Sequence, residues 1–99
     1  MNNTEILKKA ISLYGEKAQE QQAMEECAEL IQAINHKHRH RVHNIEEEIA
    51  DVEIMLEQLK IINDCRESVE RIKEIKMKRL YQRIYNISLE SDVYEGRID

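Results

Sequence analysis

The stretch MEECAELIQA, residues 24–33, sets Glu25, Glu26 and Glu29 among apolar residues in the middle of a long segment free of helix breakers. A second acidic stretch, EEEIAD at 46–51, repeats the pattern twenty residues on, with Glu48 and Asp51 at the same i, i+3 spacing as Glu26 and Glu29. Residues three and four apart share one side of an α-helix. Each stretch therefore presents two carboxylates together, beside apolar neighbours on the same helix.

Working outward, the chain divides into four helical segments. From Glu16 to about His38 nothing interrupts the pattern, and Met24, Cys27, Ala28, Ile31 and Ile34 recur at the three- and four-residue spacing of a packed stripe. Glu26 and Glu29 fall roughly opposite that stripe with Leu30 and Ala33, so this helix is expected to be covered on both sides. Upstream, Ile6, Leu7, Ala10, Ile11, Leu13 and Tyr14 predict a first helix over about 4–14, opened at Thr4 and Glu5 and stopped by Gly15. Downstream, HKHRHRVHN at 36–44 loses periodicity. Asn44 is a suitable N-cap for a third helix over about 45–62, whose first turn is acidic as the helix dipole favours. Its stripe is Ile45, Ile49, Val52, Leu56 and Leu59, with Glu48, Asp51 and Met55 along the flank. Asn63 and Asp64 supply a turn, and Val69, Ile72, Met77, Leu80 and Ile84 mark a fourth helix over about 66–86.

The fold class expected is all-α: a small bundle of about four helices over residues 1–87, followed by a polar tail, SLESDVYEGRID, at 88–99. Composition agrees, with no Pro, 2 Gly and 41% hydrophobic residues in 99. A chain of this size buries only about two thirds of its unfolded surface. With no Trp and no Phe, its core rests on Ile, Leu, Val, Met and Ala. We therefore expect self-association, as a homodimer or homotetramer, to complete the core.

The formal net charge of −5 argues against a general nucleic-acid or membrane-surface binder, although basic residues gather at 36–43 and 71–83. Cys27 and Cys65 are isolated, without CxxC spacing, and read as a small core residue and a turn residue. No N-terminal apolar run resembles a signal peptide or a membrane span. A cytoplasmic location with reduced thiols is the expectation.

A lone Glu pair in a chain with 35% charged residues is usually solvated surface. Two such pairs on neighbouring antiparallel helices are another matter, because four carboxylates in one cleft repel each other unless a proton or a cation intervenes. A ligand set of oxygens alone suits a hard ion, Mg²⁺ or Mn²⁺, and disfavours zinc. Di-iron carboxylate bundles want a Glu-x-x-His pair from each of two helices, and here no His lies three residues after a Glu. On the fourth helix Lys76, Arg79 and Arg83 follow i, i+3, i+7 on the side of Ile72 and Leu80, placing cations toward the same cleft; the simpler alternative is a surface row paired with Glu70 and Glu74. His36, His40 and His43 would share a face if the second helix continued, a pattern that binds Zn²⁺ in some tracts. Mixed with Lys37, Arg39 and Arg41, they read better as a basic loop at one end of the cleft, suited to phosphate contact.

These residues resemble the signature of the all-α nucleoside triphosphate pyrophosphohydrolases, the MazG-like family that includes dimeric dUTPases, dCTP pyrophosphatases and phosphoribosyl-ATP pyrophosphatases. That signature is E-E-x-x-E, a gap, then E-x-x-D. Glu25, Glu26 and Glu29 in EECAE fit its first half, and Glu48 and Asp51 in EIAD fit its second, with 18 residues between them. The similarity extends over about residues 16–84, and KMKR at 76–79 resembles the basic stretch of the family's final helix. The HPH-containing continuation of the longer MazG enzymes is missing, so their substrate contacts do not transfer. The resemblance implies Mg²⁺ held by Glu26, Glu29, Glu48 and Asp51, and hydrolysis of a nucleoside triphosphate between its α- and β-phosphates, giving the monophosphate and pyrophosphate. Glu25 is the candidate for orienting or deprotonating the attacking water, and Lys76, Arg79 and Arg83 for substrate phosphates. The rival expectation is a helical interaction or regulatory module in which acids and bases are interface charges.

Overall fold

The computed structural model describes residues 1–85, and among them all regular structure is helical: α1 (Asn3–Tyr14), α2 (Glu16–His38), α3 (Ile45–Ile62) and α4 (Arg66–Tyr85). This is the all-α class expected, with four helices and no strand among the described residues. The polar tail expected at 88–99 lies outside them.

Each boundary has a local cause. Helix α1 starts one residue earlier than expected because Asn2 caps it, its Oδ1 accepting from the Glu5 amide at 2.8 Å. Gly15 ends α1 and opens α2 with φ 95, a left-handed setting that costs glycine little. Helix α2 closes in a Schellman arrangement: the Arg41 amide donates to the His36 carbonyl (2.9 Å), the His40 amide to the Lys37 carbonyl (3.0 Å), and His40 takes the left-handed position at φ 55. The basic residues in this last turn, His36, Lys37 and His38, also complement the helix dipole. Helix α3 ends where Asn63 Nδ2 returns to the Leu59 carbonyl (2.9 Å) and Asp64 turns left-handed at φ 48.

Met1–Asp64 forms one compact unit and a second begins at Cys65. In the first, α2 and α3 share the most extensive packing and α1 lies against both. The short connection at 39–44 reverses the chain, so α3 runs back along α2.

The face by which α2 joins this unit differs from the expected stripe. Ala23 and Ala33 are buried, and Gln19, Glu26 and Leu30 are half-buried on the same side. Met24, Cys27, Ala28, Ile31 and Ile34 are exposed, Ile31 at 68%. Both sides of α2 offer apolar residues at helical spacing. The inner side is the one with small alanines, which let two helices approach closely. Cys27 is accordingly an exposed thiol and not a core residue. On α3 the inner line is Glu48, Val52, Met55 and Gln58, while Ile49, Ile54 and Leu56 are exposed. The flank bearing the acids is thus the packed side. In the second unit Ile75 is the buried residue of α4, with Val69 and Ile72 half-buried and the expected Met77 exposed.

Among the described residues no helix is long and apolar enough to cross a membrane.

Candidate metal centre

Helices α2 and α3 turn Glu26, Glu29 and Glu48 toward one another, and one carboxylate oxygen from each lies within 4.8 Å of the others. Glu48 is buried, only 5% exposed, although it carries a carboxylate; Glu26 is half-buried and Glu29 is at the exposed edge. Asp51, half-buried one turn beyond Glu48, is near enough to Glu26 to feel its charge. Of the four carboxylates expected to form the ligand set, Glu26, Glu29 and Glu48 meet across the α2–α3 interface, and Asp51 lies outside that group. Glu25 is exposed and lies outside the three-carboxylate group.

Two of these acids record the crowding electrostatically. The Glu29 carboxyl is raised above its ordinary value, first by the charge of Glu26, then by that of Glu48, with burial and the hydrogen bonds that only its protonated form can make to both adding to the effect. Asp51 is also raised, first by desolvation, then by the charges of Glu26 and Glu47 and by the hydrogen bond that only its protonated form can make to Glu26. Both shifts have the sign of anions held together without enough positive charge between them.

Hydrogen bonding leaves half of each inner carboxylate unused. Gln22 Nε2 donates to Glu26 Oε1 at 2.8 Å, and Asn44 Nδ2 donates to Glu48 Oε1 at 2.8 Å. With the acids ionised, the other oxygens, Glu26 Oε2 and Glu48 Oε2, are buried with no donor. A buried acceptor left in this way is costly. A cation among these oxygens offsets that cost. Mg²⁺–oxygen bonds of ~2.1 Å place neighbouring ligand oxygens of one octahedral ion ~3.0 Å apart and opposite ones ~4.2 Å apart, so oxygens within 4.8 Å of one another must draw together by up to ~2 Å to share an ion. The residues present fit a hard divalent ion.

Gln22 and Asn44 were not singled out as site residues by the sequence pattern. Each lies four residues before the glutamate it serves, a spacing at which helical side chains meet; that was the available signal. Asn44 also departs from its expected role. Its side chain caps no amide, being committed to Glu48, and the ring Nδ1 of His43 instead accepts from the Ile45 amide at 3.4 Å.

The basic candidates belong to α4, in the second unit. Lys76 and Arg79 are half-buried on the side of Val69, Ile72 and Ile75, and Arg83 is exposed one turn further on. Glu70, one of the acids considered as their partner, pairs with Lys73 at 3.7 Å.

No protein-family model, no curated protein and no solved structure matches the chain.

Proposed function

We propose that this protein is a Mg²⁺-dependent nucleoside triphosphate pyrophosphohydrolase of the MazG-like kind. One observation carries the proposal: Glu26 and Glu29 of the E-E-x-x-E half and Glu48 of the E-x-x-D half meet across α2 and α3, with two buried carboxylate oxygens that no donor reaches. Glu26, Glu29, Glu48 and Asp51 hold the ion, with Mn²⁺ a workable substitute. Once bound, the ion neutralises phosphate charge and makes a coordinated water more acidic. The chain's own residues do the remaining work. Glu25 orients the attacking water and accepts its proton, and that water attacks the α-phosphorus. The bond from the α-phosphorus to the oxygen bridging the β-phosphate breaks, and pyrophosphate leaves. The family resemblance alone assigns positive charge for the departing phosphates to Lys76, Arg79 and Arg83.

The active form is a homodimer or homotetramer. The support is the thin core of Met1–Asp64 together with two apolar surfaces on that unit. One is the groove at Met24, Cys27, Ala28 and Ile31; the other lies between α1 and α3 at Ile6, Leu7, Ala50 and Ile54. A dimer uses one such surface and a tetramer both. The same exposed faces favour the second reading, a non-catalytic helical interaction module.

The test is to incubate the protein with individual NTPs and dNTPs and Mg²⁺ and to measure products. Nucleoside monophosphate and pyrophosphate in equal amounts are expected for at least one nucleotide. Turnover of none, together with a melting temperature indifferent to Mg²⁺, leaves the interaction module as the account.

A further inference from the structure

The two side-chain amides beside the acids do the same thing on different helices. Gln22 on α2 and Asn44 at the start of α3 each donate at 2.8 Å to the Oε1 of a glutamate four residues later, and in each glutamate Oε2 remains buried and unpartnered. A single Gln–Glu pair at i, i+4 on an exposed helix is commonplace. What is not commonplace is the repetition of the arrangement on both inner acids, one of them, Glu48, 95% removed from solvent by its 5% exposure. Asn44 grips Glu48 twice, since its carbonyl also accepts the Glu48 amide at 3.1 Å. That double hold fixes both the backbone and the rotamer of Glu48.

We infer that Gln22 and Asn44 are positioning residues that make Glu26 and Glu48 one-oxygen ligands and so set the site's preference for Mg²⁺ over Ca²⁺. The inference rests on the proposed metal site and goes beyond it. Mg²⁺ demands near-octahedral geometry and takes carboxylates through single oxygens alongside waters. Ca²⁺ takes six to eight oxygens at longer distances and readily uses both oxygens of one carboxylate. With Oε1 tied to an amide, a glutamate turns only Oε2 to the ion, and two-oxygen binding requires breaking that hydrogen bond. Outer-sphere partners of this kind orient the ligands they touch. Removing the amides frees both carboxylates to rotate, which weakens the Mg²⁺ geometry and relaxes the barrier to Ca²⁺.

The experiment is isothermal titration of the full chain with Mg²⁺ alone and with Ca²⁺ alone, without nucleotide. It compares wild type, Gln22→Met, Asn44→Leu and the double variant. Both substitutions remove a donor at nearly constant size; Gln22 is exposed and Asn44 provides no helix cap, while Asn44→Leu also leaves the buried Glu48 carboxylate without a donor and should lower the metal-free melting temperature. Wild type is expected to bind Mg²⁺ more tightly than Ca²⁺. Each variant should lose roughly 10-fold in Mg²⁺ affinity and the double variant up to roughly 100-fold, with Ca²⁺ affinity changed far less, so that the preference collapses. An unchanged helical circular dichroism spectrum at the titration temperature separates this from a general loss of structure. Variants that bind Mg²⁺ with an unchanged Mg²⁺/Ca²⁺ ratio overturn the inference and leave the metal site standing. Wild type that binds neither ion overturns both.

Discussion

The two sides of α2 reverse the usual arrangement of an amphipathic helix. The side packed into the Met1–Asp64 unit carries Glu26 with Ala23, Leu30 and Ala33, while the exposed side carries Met24, Cys27, Ala28 and Ile31. Burial of charge costs stability and exposure of apolar surface forgoes it. A helix that does both is arranged for something other than the stability of the isolated subunit. On the proposed reading the acids inside hold a cation and the apolar side outside meets a partner copy. The alanines tie the two together, because small residues on the packed side allow α3 near enough for carboxylates of both helices to come within 4.8 Å.

The largest expected effect of breaking this contrast lies on the inner side. Asp51→Asn or Glu29→Gln removes a metal ligand and should reduce pyrophosphate release by more than the roughly 10–100-fold typical of outer-sphere changes, leaving the helical circular dichroism spectrum intact. Retained turnover in both variants refutes the ligand set. Next comes packing: Met55 is buried on the inner line of α3, so Met55→Ala should cost about 2–4 kcal/mol in urea unfolding. Met24→Ala, on the exposed side, should cost well under about 1 kcal/mol in the dissociated subunit. Equal losses at the two positions would erase the distinction between the faces. The outer side has its own test in Ile31→Glu, which places a charge on the exposed stripe and should shift light-scattering mass from oligomer to monomer at micromolar concentration. A wild-type protein already monomeric there contradicts the oligomer proposal.

The smallest effect is a pH dependence of the metal-free protein. Glu29 and Asp51 both have raised carboxyl groups, so the folded state holds their protons more tightly than the unfolded chain does. Their contribution to stability is fully present below the ordinary carboxylate values near 4, and it is lost as pH rises through the raised folded values. Melting curves should therefore show wild type gaining stability relative to Asp51→Asn as pH is lowered from 7 into the carboxylate range. A gap between the two that is independent of pH would show that Asp51 is not crowded by its neighbours.

The helices were legible in the sequence because their ends are made by single residues with local effects: Gly15, the Asn63–Asp64 turn and the unbroken run from Glu16. The grouping of Glu26, Glu29 and Glu48 was legible because i, i+3 spacing fixes a helix side whatever the helix packs against. The choice of inner side was not. Periodicity on α2 has two solutions, and counting apolar residues selects Met24 and Ile31, whereas the packed side is determined by the size of Ala23 and Ala33 and by contact with α3. On α4 the same ambiguity put Met77 in place of Ile75. In the sequence Asn44 reads as a cap, because Asn before an acidic first turn ordinarily caps. Its bond to Glu48 emerges only with the backbone at φ −121, ψ 43 and the carboxylate turned inward.

The most direct measurement is the melting temperature of the full chain at neutral pH with and without millimolar Mg²⁺, in wild type and in a Glu26→Gln/Asp51→Asn double variant. A cation that binds only the folded state raises stability by mass action. The wild type should melt higher with Mg²⁺, while the double variant should melt at one temperature regardless of the ion. A wild type indifferent to Mg²⁺, or a double variant stabilised as much as wild type, would contradict a cation site between α2 and α3.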